Sequence, residues 1–381
     1  MSKRIYLDYA ATSPLRPEVR KAMLPWLESG NPSSLHVDGR RAKGAIDQAR
    51  ERVSTALGCE FGECLFTSGA TESANAAIIG AAVANEDPTR RRVLISAAEH
   101  HCVLHTQSML ERLGYQVTLL PVGRDSRPDF ERTASELTSD VLLIAVMHAN
   151  NETGAITDVA AIADKAHEAG ILIFSDAVQT FAKIPNLVKK LKADLIAVSA
   201  HKIGGPQGAG ALYVKAGTKL KPLVGGGGQE RELRGGTENV AGIVGFAGAV
   251  TLPMSDAMTK SARDALLKRL ISGGAVPTLS PETPTLNTHC HVRFPGVESE
   301  SMLIRLDRAG VSASAGAACS SGSLEASHVL LAAGFSEVEA KEGLRFTLGP
   351  GIGPNDAILA ADRIIQAAQA ILGTEKSRVA R

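Results

Sequence analysis

The chain has 381 residues, with 41 Lys and Arg against 40 Asp and Glu, so its formal net charge is +1. This balance does not favour a dedicated nucleic-acid binder or a polybasic membrane protein, and 44% hydrophobic against 21% charged residues excludes global disorder. The length favours two domains. A glycine content of 37 with only 4% aromatic residues is typical of an α/β enzyme with tight turns near its ligands.

The N-terminal residues, the apolar stretches and the cysteines indicate the cellular compartment in which the protein is expected to work. The first residues lack the apolar core of a secretory signal. The longest apolar stretches, Val141–Met147 and Val240–Val250, are shorter than the roughly 20 residues of a membrane helix. The five cysteines are odd in number and scattered, which does not favour a disulfide scaffold. The sequence therefore predicts a cytoplasmic protein that contacts neither a membrane nor nucleic acid directly.

Between residues 40 and 214 the chain alternates helical patterns with short apolar runs. The predicted helices are Arg40–Leu57, Glu72–Val83, Thr106–Leu113 and Ala160–Glu168. The predicted strands are Val93–Ser96, Val117–Val122, Val141–His148, Ile171–Phe174, Asp194–Val198 and Gly210–Val214. This alternation predicts an α/β domain whose mainly parallel sheet has helices on both faces.

The pattern changes after Gly242. Further helices are predicted at Ala262–Ile271, Glu298–Ala309, Leu324–Ala333 and Asp356–Leu372, with a strand at His289–Phe294. We therefore expect a large domain over residues 16–255. Residues 1–15 and 256–381 should form a small α+β domain.

Polar side chains follow four of the predicted strands. The four groups are Glu99 to Cys102, Asn150 to Glu152, Asp176 with Gln179, and Ser199 with His201 and Lys202. Because ligands of parallel sheets bind outside the carboxyl ends of the strands, we expect the active site at this edge.

Three features of this edge indicate pyridoxal phosphate. The turn Thr67–Ser73 (TSGATES) opens a helix whose N–H groups suit a phosphate, although an ordinary capping box would have the same pattern. Lys202 is costly at a buried strand end unless its pKa is lowered or it is bonded covalently. Asp176, which precedes Lys202 by 26 residues, can reach the same ring from the neighbouring strand. Lys202 would form the Schiff base and Asp176 would hold the pyridinium nitrogen.

A family resemblance rests on motifs distributed over nearly the whole chain. They are YLDYAATSP, GNPSS, TSGATESAN, AEHHCVL, MHANNETG, SDAVQT, SAHKIGGPQGAGALYV, GGGQERELRGGTEN and GAACSSGSLEASHVL. From Tyr6 to about Gly349 the chain resembles the cysteine desulfurases of the NifS/IscS group. The resemblance implies a fold-type I pyridoxal-phosphate enzyme that converts L-cysteine to L-alanine, works as a homodimer and passes sulfur to an acceptor or scaffold protein.

The resemblance also implies roles for the matching residues. The catalytic residues would be Lys202, His100 and Cys319, the last becoming a persulfide. Cofactor contacts would come from Ala70, Thr71, His100, Asn151, Asp176, Gln179, Ser199, His201 and Lys202, with Thr237 completing the neighbouring site of the dimer. The substrate would be bound by Asn31, Asn151 and Arg345.

The residues around Cys319 support this assignment independently of the resemblance. Cys319 lies in a run of small residues without a hydrophobic period, where a thiolate can travel. Cys59, Cys64 and Cys290 are interpreted as structural. No resident metal is expected, although the resemblance is compatible with a transient contact between Cys319 and an iron–sulfur cluster on a partner.

Several points stay open at the level of sequence. Ala326 and the segment Leu348–Gly353 depart from the pattern of the group, without touching a catalytic role. An aminotransferase or selenocysteine lyase on the same fold, and a catalytically silent scaffold, are the alternatives. The final acceptor, whether an iron–sulfur scaffold or a thiolation pathway for tRNA, DNA or a cofactor, is not specified.

Overall fold

The computed structural model describes residues 3–254, 257–316 and 325–379. The strands in these ranges are β1 Ile5–Tyr6, β2 Cys64–Thr67, β3 Arg92–Ser96, β4 Gln116–Leu120, β5 Val141–Ala145, β6 Leu172–Asp176, β7 Leu195–Ser199, β8 Gly210–Val214, β9 Val276–Pro277, β10 His289–Arg293, β11 Val311–Ser312 and β12 Gly343–Thr347. The helices are α1 Pro17–Met23, α2 Val37–Leu57, α3 Ala70–Ala84, α4 His101–Leu104, α5 Gln107–Arg112, α6 Phe130–Glu136, α7 Val159–Glu168, α8 Leu187–Leu191, α9 Val240–Val250, α10 Ala257–Ser272, α11 Ser299–Arg308, α12 His328–Ala332, α13 Glu337–Lys341 and α14 Pro354–Val379.

The largest sheet has seven strands in the order β2-β8-β7-β6-β5-β3-β4. Strands β4, β3, β5, β6 and β7 pair in parallel, whereas β8 runs antiparallel to both of its neighbours. The prediction of a mainly parallel sheet is therefore confirmed. The parallel order brings the carboxyl ends of β5, β6 and β7 to one edge.

Helices cover both faces of this sheet because the strands carry apolar side chains on both faces. On one face, Ile196 and Val198 of β7 pack in a core with α2, α7 and α9. On the other face, Leu195 and Ala197 of the same strand pack with α3. The sheet is thus buried on both sides, as expected for parallel strands joined by helices.

A separate core lies in the remaining part of the chain. It joins α10, α11 and α14 to the antiparallel sheet β12-β10-β9. Ile5 and Leu7 belong to this core, and β1 pairs in parallel with β11. These contacts support the division into residues 16–255 against 1–15 and 256–381, which stays a prediction.

The ends of several elements differ from the predictions. The helix predicted from Leu324 begins at His328, because the Ser327 side chain accepts from the Leu330 amide and caps it. Residues 317–324 lie outside the described part. The strand predicted to reach His148 ends at Ala145.

Several elements were not predicted, among them β2, β12 and α9. Strand β2 is buried at every position and begins with three apolar residues, so it has no alternation of apolar and polar residues. Strand β12 does alternate, with Leu344 and Phe346 in the core, but it has only five residues. Helix α9 is apolar all round, since it is enclosed by α1 and α2. In the described ranges, every helix is too short or too polar to cross a membrane.

Candidate active site

A cavity of about 700 Å³ lies at the carboxyl ends of β5, β6 and β7. Its wall combines the residues after these strands with the N-terminal segment, the start of α3 and strand β12. Of the residues predicted for the site, the following line it: Ala70, Thr71, His100, Asn151, Asp176, Gln179, Ser199, His201, Lys202 and Arg345. The cavity thus gathers residues from positions 8 to 345 of the chain.

Lys202 lies on a single 3₁₀ turn, Ala200–Ile203, directly after β7. Its Nζ donates to the carbonyl oxygens of Ala10 at 2.6 Å and Ala11 at 2.8 Å. Burial lowers the pKa of this amine to about 8, and the nearby Arg345 charge acts in the same direction. A larger neutral fraction near neutral pH makes the amine a better nucleophile and base than an exposed lysine.

Asp176 ends β6, the strand next to β7, and its Cα pairs with that of Ala197. Its Oδ1 accepts from the Val178 amide at 2.9 Å. Burial raises the pKa of Asp176 to about 6, while the Val178 N–H and Lys202 act against this rise. A cationic group bound beside the carboxylate would keep it ionised at neutral pH.

Gln179 lies on the turn after β6, beside Asp176. Its Nε2 donates to the carbonyl oxygen of Ala10 at 3.1 Å. Its Oε1 is buried and has no partner among the described residues. Because buried polar atoms are normally hydrogen-bonded, this oxygen is available to a polar group of a ligand.

The start of α3 forms an anion cradle. Gly69, Ala70 and Thr71 line the cavity, and no side chain caps this helix. A Cβ on Gly210 would lie 2.6 Å from the Cα of Gly69, so the glycine allows β8 to approach the turn closely. The first amides of α3 and the positive end of its dipole suit a phosphate.

Two histidines of the cavity are held neutral. His100 accepts from the Cys102 amide through Nδ1 at 3.2 Å, so the neutral ring carries its proton on Nε2. His201 Nδ1 lies 3.2 Å from Thr12 Oγ1. Burial lowers the pKa of each ring to about 4, and Lys202 adds to this effect.

Arg345 enters the cavity from β12, opposite the strand ends. Its Nη2 donates to Asp8 Oδ1 at 2.8 Å, and its Nη1 donates to the carbonyl oxygen of Asn151 at 3.0 Å. Its Nε and the Asn151 Oδ1 are buried without partners among the described residues. This leaves hydrogen-bonding capacity for a carboxylate ligand.

The sequence analysis assigned no individual role to Asp8, Glu99, Glu152 and His328, although Glu99 and Glu152 belong to the polar groups expected at the strand ends. Glu99 is fully buried, and its Oε1 accepts from the Met147 amide at 2.5 Å. Burial raises the pKa of Glu99 well above its usual value, with the Asp176 charge adding to the effect. The motif YLDYAATSP contains Asp8, but only the fold brings this residue to Arg345.

Two predicted site residues, Asn31 and Thr237, do not line this cavity. Asn31 is exposed, and its Oδ1 accepts from the Ser33 amide at 2.9 Å. Thr237 is also exposed and lies outside the wall of its own chain's cavity. Cys319 lies outside the described residues. Within the described ranges, no group of three His, Cys, Asp or Glu could hold a metal ion.

Comparison with known proteins places this cavity in a defined class. The aminotransferase class-V family model matches residues 5–350. A cysteine desulfurase IscS from Dictyoglomus turgidum is 43% identical over 92% of this chain and 90% of its own length. The IscS of Methanosarcina thermophila is 42% identical over 91% of this chain and 88% of its own length. The chain therefore belongs to the class-V aminotransferase family, in the branch of the cysteine desulfurases.

Solved structures agree with this assignment. A NifS-like protein aligns with a TM-score of 0.87 at 31% identity, covering 95% of this chain and 98% of that protein. SspA, solved in complex with cysteine, aligns with a TM-score of 0.81 at 35% identity over 91% of this chain and 99% of its own. These similarities confirm the fold expected from the sequence.

Proposed function

We propose that this protein is a pyridoxal-phosphate-dependent cysteine desulfurase that uses Cys319 as its sulfur acceptor. L-cysteine and the Cys319 thiol would give L-alanine and a Cys319 persulfide, which balances without an external oxidant or reductant. The observation that carries the proposal is a single cavity lined by Lys202, Asp176 and Arg345. The cysteine desulfurases among its relatives support it.

The residues of the cavity fit pyridoxal phosphate. The start of α3, with Ser199 and His201, offers a cradle for the phosphate, and the lowered pKa of Lys202 suits a Schiff-base lysine. The unpartnered Gln179 Oε1 is available to a hydroxyl group of the ring. When bound, this cofactor stabilises negative charge at the substrate Cα.

Remaining cofactor contacts are proposed from the sequence. His100, a neutral ring in the cavity wall, would stack on the cofactor, and Asn151 would contact it from the loop after β5. Ala70 and Thr71 would contribute their amides to the phosphate cradle. These roles complete the set of groups expected to orient the cofactor.

The protein groups would then bind cysteine and move its protons. Arg345 and Asn151 would bind the substrate carboxylate, with Asn31 as a second contact. Lys202 would take the proton from Cα, since its amine is neutral in an appreciable fraction near neutral pH. His100 would take the proton of the substrate thiol. The Cys319 thiol would lose its proton and form a bond to the substrate sulfur as the bond between that sulfur and Cβ breaks, the electron pair of that bond going to carbon. A proton delivered to Cβ and the return of a proton to Cα would complete alanine.

We propose a homodimer in which Thr237 completes the neighbouring site, because this residue is exposed and outside its own cavity. Sulfur would leave the Cys319 persulfide for an acceptor protein or thiol. A cytoplasmic location stays a prediction from the cysteine content.

The test begins with the absorption spectrum of the purified protein, with and without added pyridoxal phosphate. L-cysteine is then supplied, and alanine and sulfide are quantified for the wild type and the Cys319→Ala variant. We expect a yellow protein that produces alanine only when Cys319 is intact. A variant that makes alanine at the wild-type rate would favour a lyase or an aminotransferase, and a protein that cannot bind the cofactor would contradict the assignment of Lys202.

A further inference from the structure

Glu152 is a buried carboxylate on the loop after β5. Its Oε2 accepts from the Ser327 hydroxyl at 2.5 Å, although the two residues are 175 positions apart. The same oxygen would lie 2.5 Å from a Cβ on Gly316, which has a φ of +92°. Gly316 and Ser327 flank residues 317–326, the ten-residue segment that contains Cys319. Both ends of this segment therefore meet one carboxylate.

The loop that carries Glu152 is itself fixed. Asn150 Oδ1 accepts from the backbone amides of Glu152 and Thr153, each at 2.9 Å. The Asn150 Nδ2 donates to the carbonyl oxygen of Ala98 at 3.1 Å. Since these bonds join the ends of β5 and β3, Glu152 is presented from the rigid sheet and not from a free surface loop.

Each end of the segment makes further contacts with residues at the cavity. Before it, Ser314 exchanges backbone hydrogen bonds with Arg345, at 3.2 and 2.7 Å. After it, His328 Nε2 lies 2.9 Å from the carbonyl oxygen of Glu99, and its ring centroid lies 4.3 Å from that of His101. The described ends are thus attached beside Arg345 and beside His100.

We propose that Glu152 is a positioning residue that holds Gly316 and Ser327 together at the cavity and so sets how often the Cys319 thiol meets the substrate sulfur. This role rests on the proposed function. Attaching both ends of a short segment beside a bound reactant raises the effective concentration of any group within that segment. The same Ser327 hydroxyl accepts from the Leu330 amide at 3.2 Å, so the residue that Glu152 holds is also the cap of α12.

The test separates sulfur transfer from cysteine binding in the cofactor-loaded enzyme. Persulfide on Cys319 is followed by rapid quenching and mass spectrometry in a single turnover. The cysteine dissociation constant is measured from the cofactor absorbance in a Cys319→Ala background. For Glu152→Ala and for Ser327→Ala we expect persulfide formation to slow about tenfold, while the dissociation constant changes less than about twofold.

Conservative variants distinguish positioning from a general loss of stability. Glu152→Gln and Ser327→Thr keep an acceptor or a donor at the contact, and we expect each to recover most of the lost rate. Hydrogen exchange provides a readout on the unloaded protein: the peptide containing His328–Ala332 should exchange at least about threefold faster in Glu152→Ala. Asp194→Asn, which loses a buried carboxylate outside the cavity, is the matched control and should retain the wild-type transfer rate.

The outcomes are distinguishable from those of the proposed function. If wild-type Cys319 acquires persulfide and both Glu152→Ala and Ser327→Ala do so at the wild-type rate, the positioning role is wrong while the desulfurase assignment stands. Equal losses in cysteine binding and sulfur transfer would also overturn it, because they would indicate a damaged cavity. If wild-type Cys319 acquires no persulfide although alanine is formed, the proposed function itself fails.

Discussion

Two buried arginines, Arg50 and Arg345, have almost equal exposure but different surroundings, since their side chains are 4% and 5% exposed. Arg50 donates to both carboxylate oxygens of Glu230, at 2.7 and 2.6 Å, and to the carbonyl oxygen of Cys64. Its guanidinium also lies 4.7 Å from the ring centroid of Phe66. Both terminal nitrogens of this cation are therefore occupied by the fold.

Arg345 has only part of its capacity in use. One nitrogen donates to Asp8, another donates to the Asn151 carbonyl, and Nε has no partner among the described residues. Arg345 lines the cavity of about 700 Å³ that also holds Lys202 and Asp176, whereas Arg50 lines a separate pocket of about 500 Å³ with its terminal nitrogens already paired. Burial alone therefore does not distinguish the two arginines, and the unused hydrogen-bonding capacity of Arg345 beside the cavity of Lys202 is what makes it the candidate for binding a ligand.

The largest expected effect is on the stability conferred by Arg50. Arg50→Ala leaves Glu230 as a buried charge without its cation, which should lower the free energy of unfolding by about 3–5 kcal/mol. Urea unfolding at fixed protein concentration measures this loss. The double variant Arg50→Met with Glu230→Gln removes both charges and keeps an acceptor for the Phe66 amide, so it should be clearly more stable than Arg50→Ala. If both variants unfold at the same urea concentration, the ion pair is not what holds this region.

Arg345 should affect binding more than stability. Arg345→Ala removes the proposed cation for the substrate carboxylate, and we expect the cysteine dissociation constant to rise about 100-fold. A titration of the cofactor absorbance with cysteine, in a Cys319→Ala background, gives this constant. The unfolding midpoint should fall less than in Arg50→Ala, because the side chain of Asp8 is 19% exposed and can be hydrated. Unchanged cysteine binding would remove Arg345 from the substrate site.

A third expectation concerns the pH dependence of Lys202. Only the neutral amine attacks an aldehyde, so the rate of cofactor incorporation, trapped with borohydride, should rise about tenfold per pH unit below pH 8 and level off above it. Lys202→Ala should show no trapping at this position. A rate that keeps rising to pH 10 would mean that burial and Arg345 do not lower the pKa of Lys202.

The smallest expected effect concerns Asp8, the carboxylate that Arg345 contacts, and its influence on the pKa of Lys202. Asp8 raises the pKa of Lys202, so Asp8→Asn should move the midpoint of the incorporation profile down by about half a pH unit. The same change removes the negative charge beside Arg345, so the arginine should attract the substrate carboxylate more strongly. We therefore expect cysteine to bind about threefold more tightly. A midpoint that moves upward would contradict the electrostatic account of both residues.

The strand ends of the large sheet were largely predictable from local sequence. β5, β6 and β7 are short apolar runs, and the residues after them include Asn151, Asp176 and Lys202, as the sequence analysis expected. Parallel pairing forces such residues to one edge, so their proximity follows from the fold class. The chemistry of these residue types then pointed to a phosphate-bearing cofactor.

The opposite wall of the cavity could not be predicted in this way. β12, which presents Arg345, is a buried run of only five residues, and its alternation of Leu344, Arg345, Phe346 and Thr347 does not indicate where in the fold the strand packs. Asn31 was expected near the substrate, but it is exposed and outside the cavity of its own chain. For Arg345 and Asn31, the motif indicated a residue type, while the position depended on how distant parts of the chain pack.

The sequence by itself determined the parallel sheet, the polar residues at its edge and the family, because each is expressed in runs of neighbouring residues. Tertiary structure decided which of these residues meet: Asp8 with Arg345 and Glu152 with Ser327, contacts that span 337 and 175 positions. It also decided their proton affinities, since the pKa values of Lys202 and Asp176 are shifted mainly by burial. Burial and long-range contact arise only when separate layers pack, and no local pattern encodes them.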